Sequence, residues 1–507
     1  MTHGHCVYLE ACALKAGGFL IVVRQLTLAR PFSTPRPDSY APIPPAIRSR
    51  KHFVDLPPGP TSRLPGQLLY RFQKDTPAFL MDLRQTYGDA SSFFLNGQLF
   101  IALFSPEMVY QVTTSKQSSF VKGVGFARMR KVLGEGLLTN EEPIHLRHRR
   151  MMQPPFKKDR LDSYSSLMTN LTREQIATWR DGSEILLGPE MMRLTLAIVA
   201  QTLFGTSARR YEQPIAESME VAIDRIERTM LPGLQLFDDL PVPYWRKFGE
   251  AADELALIAE ELIKTRRNDP NDSDDLLGLW LSLRDDDGVV FTDEEVRDEA
   301  LTLILSGHET TANMLTWAFS WLAMRPDIQS ALRAEADSAS WPQSDKTPSI
   351  EDVLGNDENG APKLPVASAI VAESLRMAPP VWVAPRRAIE DVEVDGVQVP
   401  AGAHVIVSQY VTQRDERWFP EPNEWRPERW YGDLAKRLPR GAYFPFGGGT
   451  RKCLGDQFAL LESRIILLEV ASRMRLGPAD ANQPVPKAQP RATYRPKGPV
   501  PMKVSFN

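Results

Sequence analysis

The sequence predicts a mainly α-helical protein with small β-sheets. Helical apolar periodicity runs through most of residues 67–327, a long and well-capped helix begins near residue 292, and strand-like alternation is confined to short stretches. The 507 residues carry a formal charge of −4, and 42% of them are hydrophobic and 24% charged. These values exclude the disordered, collagen-like and coiled-coil classes, and the near-neutral charge gives no case for nucleic-acid binding.

The N-terminal segment differs in composition from the rest of the chain. Ten prolines between residues 31 and 66 disfavour a helix there and favour an extended lead-in. We expect residues 1–55 to be a poorly ordered extension and residues 56–507 to form a single domain. The best early apolar run, residues 18–23, is far shorter than the ~20 residues that span a bilayer. A cytoplasmic protein without a transmembrane anchor is therefore predicted.

A hairpin and a long helix give the body its predicted framework. Residues 90–103 place two apolar stretches around Asn96-Gly97, a pair that favours the two-residue turn of a β-hairpin. The segment Thr292-Asp-Glu-Glu295 has the pattern of a capping box. The apolar periodicity after it predicts a helix to about Met324, stopped by Pro326.

Short strands and irregular chain make up the C-terminal part. Alternating valines within residues 386–410 predict strands, whereas residues 414–450 are rich in Pro, Gly, Trp and Arg and lack periodicity. A further helix is predicted over residues 455–474. We expect residues 492–494 and 502–506 to pair as a terminal two-stranded sheet.

Of the three cysteines in the chain, Cys453 alone lies in the body. So few cysteines exclude a disulfide scaffold and any four-cysteine zinc or iron–sulfur site. Cys453 precedes a predicted helix, whose start favours a thiolate. The glycines at 447–449 allow a flat ligand to approach closely, Phe446 offers an apolar shield, and Arg451 offers donors to an anionic group. A lone thiolate suits haem iron better than zinc.

This segment resembles the haem-ligand signature of the cytochrome P450 family, which it matches at Phe446, Gly449, Arg451, Cys453 and Gly455. The resemblance implies the family fold, with a long central helix over the haem and the cysteine loop beneath it. It implies that Cys453 is the axial ligand of the iron of haem b, a ligand type that favours O–O cleavage. The implied activity is a monooxygenase that inserts one oxygen atom from O₂ into a hydrophobic substrate, such as a fatty acid, terpenoid or polyketide.

The long helix contains Ser306-Gly-His-Glu-Thr-Thr311, which resembles the oxygen-activation motif of the same family. By this resemblance Thr310 holds a water near the haem and Glu309 relays protons. Ser306 stands where the family more often has alanine or glycine, and it adds a hydroxyl over the haem.

Glu373, Arg376 and Arg429 resemble a charged lock of the family that ties the loop before the cysteine to the core. The first two lie three residues apart, on one helix face. We expect these three residues to have a structural role, because a broken buried charge pair is costly.

Basic residues are expected at the haem propionates. His145 and Arg149 lie four residues apart on one helix face, and the resemblance places them with Arg386 and Arg451 at the propionates. Arg387 is the alternative to Arg386. Arginine pairs well with carboxylates because its donors form a planar fork.

The stretch Arg147–Arg160 is strongly basic and lies, by family position, on the cysteine side of the haem. It predicts docking of an acidic ferredoxin or flavodoxin-type electron donor, with electrons from NAD(P)H arriving through this separate partner. Met377–Pro385 and the loop Phe120–Leu138 are expected to line the haem pocket. Both are largely apolar, which favours a hydrophobic substrate.

Two other functions stay open from the sequence. One is a haem-thiolate peroxygenase or isomerase that needs no electron donor, and the other is a non-catalytic haem-binding sensor or carrier. The pair Glu309-Thr310 favours the monooxygenase, because peroxygenase-type members often lose this pair and a carrier does not require it.

Overall fold

In the computed structural model of the chain, the described residues are 55–62, 64, 66–230, 243–268, 275–341 and 347–507. The predicted extension at residues 1–55 lies, apart from Asp55, outside this part of the chain. The helices are α1 (Gln67–Lys74), α2 (Thr76–Tyr87), α3 (Pro106–Tyr110), α4 (Val124–Leu133), α5 (Ile144–Met152), α6 (Lys158–Ile176), α7 (Leu187–Phe204), α8 (Glu212–Met230), α9 (Pro243–Asn268), α10 (Leu276–Ser282), α11 (Asp293–Leu322), α12 (Pro326–Ser338), α13 (Ile350–Leu354), α14 (Pro365–Met377), α15 (Gln409–Thr412), α16 (Leu434–Arg437) and α17 (Asp456–Arg473).

The strands are short and confirm the prediction of small sheets in a mainly α-helical protein. They are β1 (Ala90–Leu95), β2 (Gln98–Leu103), β3 (Phe120–Lys122), β4 (Glu184–Leu186), β5 (Ala384–Ala388), β6 (Val392–Val394), β7 (Val397–Val399), β8 (His404–Val407), β9 (Met474–Pro478), β10 (Ala488–Pro490), β11 (Tyr494–Pro496) and β12 (Pro501–Phe506).

The largest sheet of the described chain has the order β1-β2-β8-β5-β3. Strands β2 and β8 run parallel and the other neighbours antiparallel. The predicted hairpin is confirmed as β1 and β2, and Asn96 and Gly97 have φ values of 48° and 72°. Both values lie in the left-handed region that the tight hairpin turn requires. The strands predicted within residues 386–410 are confirmed as β5 to β8.

Helix α11 is the long helix that the capping box predicts, and it rises about 45 Å. The Thr292 hydroxyl accepts from the Glu295 N–H at 3.1 Å, and the Glu295 carboxylate accepts from the Thr292 N–H at 2.8 Å. Helix α7 packs along α11 so closely that a Cβ on Gly307 would lie 2.9 Å from a Val199 methyl. Most residues of α11 are buried.

The prediction of a terminal two-stranded sheet is wrong in its pairing. Strand β11 pairs with β10, whereas β12 lies between β9 and β4 in a three-stranded sheet. Helix α17 leads directly into β9, which brings that strand beside β12. Met502 and Val504 of β12 are then buried. This apolar burial outweighs the sequence proximity of β11 and β12.

The segment at residues 120–138, expected as a loop, contains β3 and α4. Strand β3 forms because Phe120 and Val121 pair with Ala388 and Arg387 of β5. Helix α17 confirms the helix predicted over residues 455–474. Among the described helices, none combines the length and apolarity needed to cross a bilayer.

Candidate active site

A cavity of about 330 Å³ lies between α11 and the loop that precedes α17. Ser306, Gly307 and Thr310 of α11 line one side, and Phe446 and Cys453 line the other. Most of the remaining wall is apolar, and includes Phe126, Leu137, Leu138, Val199, Leu303, Met314, Val371, Leu375, Pro380, Val381, Val383 and Ala384. The predicted contributions of residues 120–138 and 377–385 to this wall are therefore found in the structure.

Cys453 reaches the cavity from a tight loop, which its backbone N–H closes by donating to the Phe446 carbonyl at 2.9 Å. Desolvation raises the pKa of the Cys453 thiol to about 11, although the Gly455 N–H and the Arg149 charge favour the thiolate. The helix start is expected to favour a thiolate, and desolvation outweighs that effect. Helix α17 begins at Asp456, so Cys453 precedes the first turn of the helix. A bound metal cation would supply the missing positive charge.

The glycines before the cysteine serve protein packing more than ligand approach. A Cβ on Gly449 would lie 2.1 Å from the Gln117 side-chain oxygen and 2.3 Å from the Thr113 carbonyl. A Cβ on Gly448 would lie 2.9 Å from the Thr113 hydroxyl. Only Gly447 of the three lines the described cavity, so the idea that all three admit a flat ligand is corrected.

A group of cations surrounds one buried carboxylate beside the cavity. Arg451 donates to Glu141 at 2.6 Å through Nη2, while its Nη1 is buried without a hydrogen-bond partner among the described residues. Desolvation, with the charge of Arg451, lowers the pKa of Arg386 to about 10. Desolvation likewise lowers the pKa of Lys122 to about 7, against the opposing effect of Glu141. Positive charge therefore exceeds what Glu141 can neutralise.

His145 and Arg149 line the same cavity from α5. The His145 ring lies 3.1 Å from the Glu142 carboxylate, and Arg149 donates to the Lys452 carbonyl at 2.6 Å. Desolvation lowers the pKa of His145. The structure thus brings both predicted residues to one wall of the cavity, next to the cysteine loop.

The structure also separates Arg386 from Arg387. Arg386 lines the cavity, whereas Arg387 is absent from the lining of its described part. The two arginines differ because successive residues of a strand point to opposite faces. Arg387 lies near His404: desolvation, together with the charge of Arg387, lowers the pKa of His404 to about 4. This placement favours Arg386 as the cavity cation.

The cavity residues fit haem b. The unpartnered Nη1 of Arg451 and the desolvated cations Arg386 and Lys122 need an anion, and haem carries two propionates. The thiol of Cys453 opens on the same space, where an iron ion would stabilise the thiolate.

Thr310 and Glu309 point in different directions. The Thr310 hydroxyl lines the cavity and donates to the Ser306 carbonyl at 2.7 Å. Glu309 is buried outside the cavity lining of the described chain, and it accepts from the Thr493 hydroxyl at 2.6 Å. Burial raises the pKa of Glu309. Ser306 also lines the cavity, but its hydroxyl donates to the Thr302 carbonyl at 2.7 Å.

Glu373, Arg376 and Arg429 meet as a buried cluster. Arg376 donates two hydrogen bonds to Glu373, at 2.9 and 2.8 Å, and Arg429 donates a third at 3.0 Å. Arg376 also donates to the carbonyls of Gln413 and Pro422, at 2.9 and 2.7 Å. The cluster therefore joins α14 to the irregular chain that leads to the cysteine loop.

Sequence reasoning missed Lys122 and Glu141. Lys122 donates to the carbonyls of Leu137 and Asn140, at 2.8 and 2.6 Å, and Glu141 accepts from the Lys122 N–H at 2.6 Å. Neither residue belongs to a motif with its own spacing, so their meeting with Arg451 depends on the tertiary fold.

A comparison with protein-family models matches residues 57–504 to the cytochrome P450 model. The chain belongs to the cytochrome P450 family. Among curated relatives, cyclooctat-9-en-7-ol 5-monooxygenase of Streptomyces melanosporofaciens is 35% identical over 74% of this chain and 79% of the relative. Pentalenene oxygenase of Streptomyces avermitilis is 31% identical over 79% of this chain and 87% of the relative.

A solved cytochrome P450DA heme domain shares the fold of this cytochrome P450, with a TM-score of 0.77 and 22% identity over 89% of this chain and 98% of that one. Membership of the family confirms the predicted fold and makes the protein a haem-dependent monooxygenase of bacterial type.

Proposed function

We propose that this cytochrome P450 oxidises a terpenoid, adding one oxygen atom from O₂. The observation that carries the substrate class is the apolar cavity between α11 and Cys453. Two relatives support it, because they are named cyclooctat-9-en-7-ol 5-monooxygenase and pentalenene oxygenase. Hydrophobic burial would supply most of the binding energy for such a substrate. The proposed catalytic domain is residues 56–507, which the family match over residues 57–504 supports.

The placement of haem in this proposal follows from the cavity cations. Cys453 would ligate the iron, and Arg451, Arg386, His145 and Arg149 would hold the propionates. Phe446 would offer an apolar contact to the porphyrin. When bound, haem supplies the iron that activates O₂. Lys122 would regain its positive charge beside a propionate, because a nearby anion raises the pKa of a lysine.

The proton path in this proposal uses Thr310 and Glu309. Thr310 lines the cavity and would hold a water with its hydroxyl. The raised pKa of Glu309 suits a group that carries a proton. In the described structure its carboxyl contacts Thr493, so Glu309 would have to leave this partner to pass a proton toward the cavity.

The test is turnover of terpene hydrocarbons and terpene alcohols by the purified haem-loaded protein with NADPH, O₂, a ferredoxin and its reductase. The proposal expects a product with one oxygen atom derived from ¹⁸O₂, and no comparable product with peroxide alone. If no terpene is oxidised but a fatty acid is, the proposed substrate class is rejected and the monooxygenase activity is retained.

Thr310→Ala is expected to retain haem but to divert reducing equivalents to peroxide. Because the Thr310 hydroxyl donates to the Ser306 carbonyl, it would accept from a water at the cavity wall. Loss of the hydroxyl would remove this acceptor, and we expect the product formed per NADPH to fall by about tenfold. The ratio of product and H₂O₂ to NADPH consumed measures this. Thr316→Ala is the matched control, because its hydroxyl donates to the Ala312 carbonyl and lies outside the described cavity lining. Unchanged coupling in Thr310→Ala would remove Thr310 from the proton path.

We further propose that an acidic ferredoxin or flavodoxin-type donor docks on the basic stretch Arg147–Arg160. Several of its cations are already paired: Arg147 with Asp285 at 2.7 Å, Arg150 with Asp286 at 2.9 Å and Lys158 with Glu351 at 2.6 Å. Lys157 is exposed and forms no ion pair within the described ranges. The pairs of Arg150 and Lys158 are exposed and weak, so an acidic partner could replace them.

Neutralising Arg150, Lys157 and Lys158 to glutamine is expected to slow electron transfer about tenfold at low salt, and to reduce its salt dependence. Stopped-flow reduction under CO measures the rate. Neutralising Arg209 and Arg210 is the control. Arg209 pairs with Glu174 on α6, about 24 Å along that helix from Lys158. If the triple variant and the control variant are reduced at the same rate, the docking surface lies elsewhere.

A further inference from the structure

Residues 134–138, which we name the wall segment, connect α4 toward α5 and form part of the cavity boundary. Leu137 and Leu138 line the cavity. The segment lies directly on α11, since a Cβ on Gly136 would be 2.1 Å from the Thr302 hydroxyl and 2.7 Å from the Asp298 carbonyl. The position of the two leucines therefore depends on how this backbone is held against the helix.

Two adjacent carboxylates of α11 bind the backbone of the wall segment. Asp298 accepts from the Glu135 N–H at 2.8 Å, and Glu299 accepts from the Leu137 N–H at 2.9 Å. Glu299 is fully buried. Buried carboxylates bonded to backbone N–H groups make strong, directional contacts, because the acceptor is charged and water is excluded.

The second oxygen of Glu299 is occupied by a buried histidine. The His148 Nδ1 lies 2.6 Å from Glu299, and its Nε2 lies 3.3 Å from Glu295. Desolvation lowers the pKa of His148, but its hydrogen bonds to Glu295 and Glu299 outweigh this and raise the pKa to about 9. With Nδ1 against Glu299 and Nε2 against Glu295, a protonated His148 ring can donate to both carboxylates, and this contact orients Glu299.

We propose that Glu299, oriented by His148, is a positioning residue that determines substrate fit by holding Leu137 and Leu138 at the cavity wall. Glu299 does not touch the cavity itself within the described lining. Its effect should appear in the affinity for ligands large enough to reach the wall segment. It should be absent for ligands confined to the iron. The inference rests on the proposed function, because it assumes that the cavity holds haem and substrate.

The test compares imidazole with 4-phenylimidazole, both of which bind haem iron and shift the Soret band. Glu299→Leu removes the acceptor for the Leu137 N–H. We expect it to weaken 4-phenylimidazole about tenfold and imidazole less than twofold. Glu299→Gln retains an acceptor oxygen and should restore most of the affinity. Glu294→Leu is the matched control, because Glu294 lies on the same helix with an exposed side chain.

Gly136→Ala tests the same contact without leaving a buried charge unpaired. Its Cβ would collide with the Asp298 backbone carbonyl, so the wall segment must move, and the same selective loss is expected. The inference would be overturned if both variants bound the two ligands with the same affinity ratio as the wild type. Absence of the red-shifted Soret band from the reduced, CO-bound wild type would instead overturn the proposed function, and the inference with it.

Discussion

Replacement of Cys453 by serine is expected to abolish the red-shifted Soret band of the reduced, CO-bound protein and to reduce monooxygenase activity by more than about 100-fold. The thiolate donates electron density to iron, and a serine hydroxyl in the same position would stay protonated. The absorption difference spectrum measures the ligand directly. Burial raises the pKa of the Cys453 thiol to about 11, so a bound iron would be needed to hold the thiolate at neutral pH.

Cys12→Ser is the control for Cys453→Ser, because it makes the same chemical change at a cysteine outside the residues that match the cytochrome P450 model. It should leave the spectrum and the activity intact. Haem content and far-ultraviolet circular dichroism show whether Cys453→Ser is folded. A folded, haem-loaded Cys453→Ser protein that kept the red-shifted band would show that another residue ligates the iron.

Arg376→Ala is expected to destabilise the protein by about 3–5 kcal/mol, because it leaves the Glu373 carboxylate buried without its main partner. Arg376 and Glu373 are both inaccessible to solvent. Desolvation raises the pKa of Glu373, but Arg376 and Arg429 outweigh this and lower it. The three backbone carbonyls that Arg376 binds, of Gln413, Pro422 and Glu424, would lose a donor as well.

Thermal unfolding at one scan rate, followed by circular dichroism and by haem absorbance, measures the loss. Arg376→Lys should recover little, because an ammonium lacks the planar fork that bridges Glu373 and the loop carbonyls. The control is Arg333→Ala, which removes an exposed pair with Asp337 and should cost about 0.5 kcal/mol or less. Equal midpoints for Arg376→Ala and Arg333→Ala would contradict a locking role.

The features that the sequence predicts correctly depend on neighbouring residues. The turn at Asn96-Gly97 and the capping box at Thr292 each act within a few residues, so their conformations can be inferred before the fold is known. The segment around Cys453 is similar, because its loop closes on itself through the bond from Cys453 to Phe446. Local physics and a long motif therefore gave both the central helix and the cysteine loop.

The features that the sequence could not predict depend on residues far apart in the chain. The contact of Glu141 with Arg451 spans about three hundred positions, and β12 selects β9 and β4 as partners through burial of Met502 and Val504. Glu309 follows the motif, yet its direction is set by Thr493, which only tertiary structure brings near. Which of these partners a residue contacts depends on the tertiary fold, and a local sequence pattern does not contain that information.

The order in which the ribosome delivers these residues constrains when the cofactor can be captured. The cavity cations Lys122 and His145 emerge early, whereas Cys453 emerges after nearly nine-tenths of the chain, and β4 at Glu184–Leu186 must wait for Pro501–Phe506 to complete its sheet. A nascent chain therefore holds positive charge for the propionates long before it holds the sulfur. Because domains generally fold as units, we expect haem insertion to follow the synthesis of both Cys453 and β12.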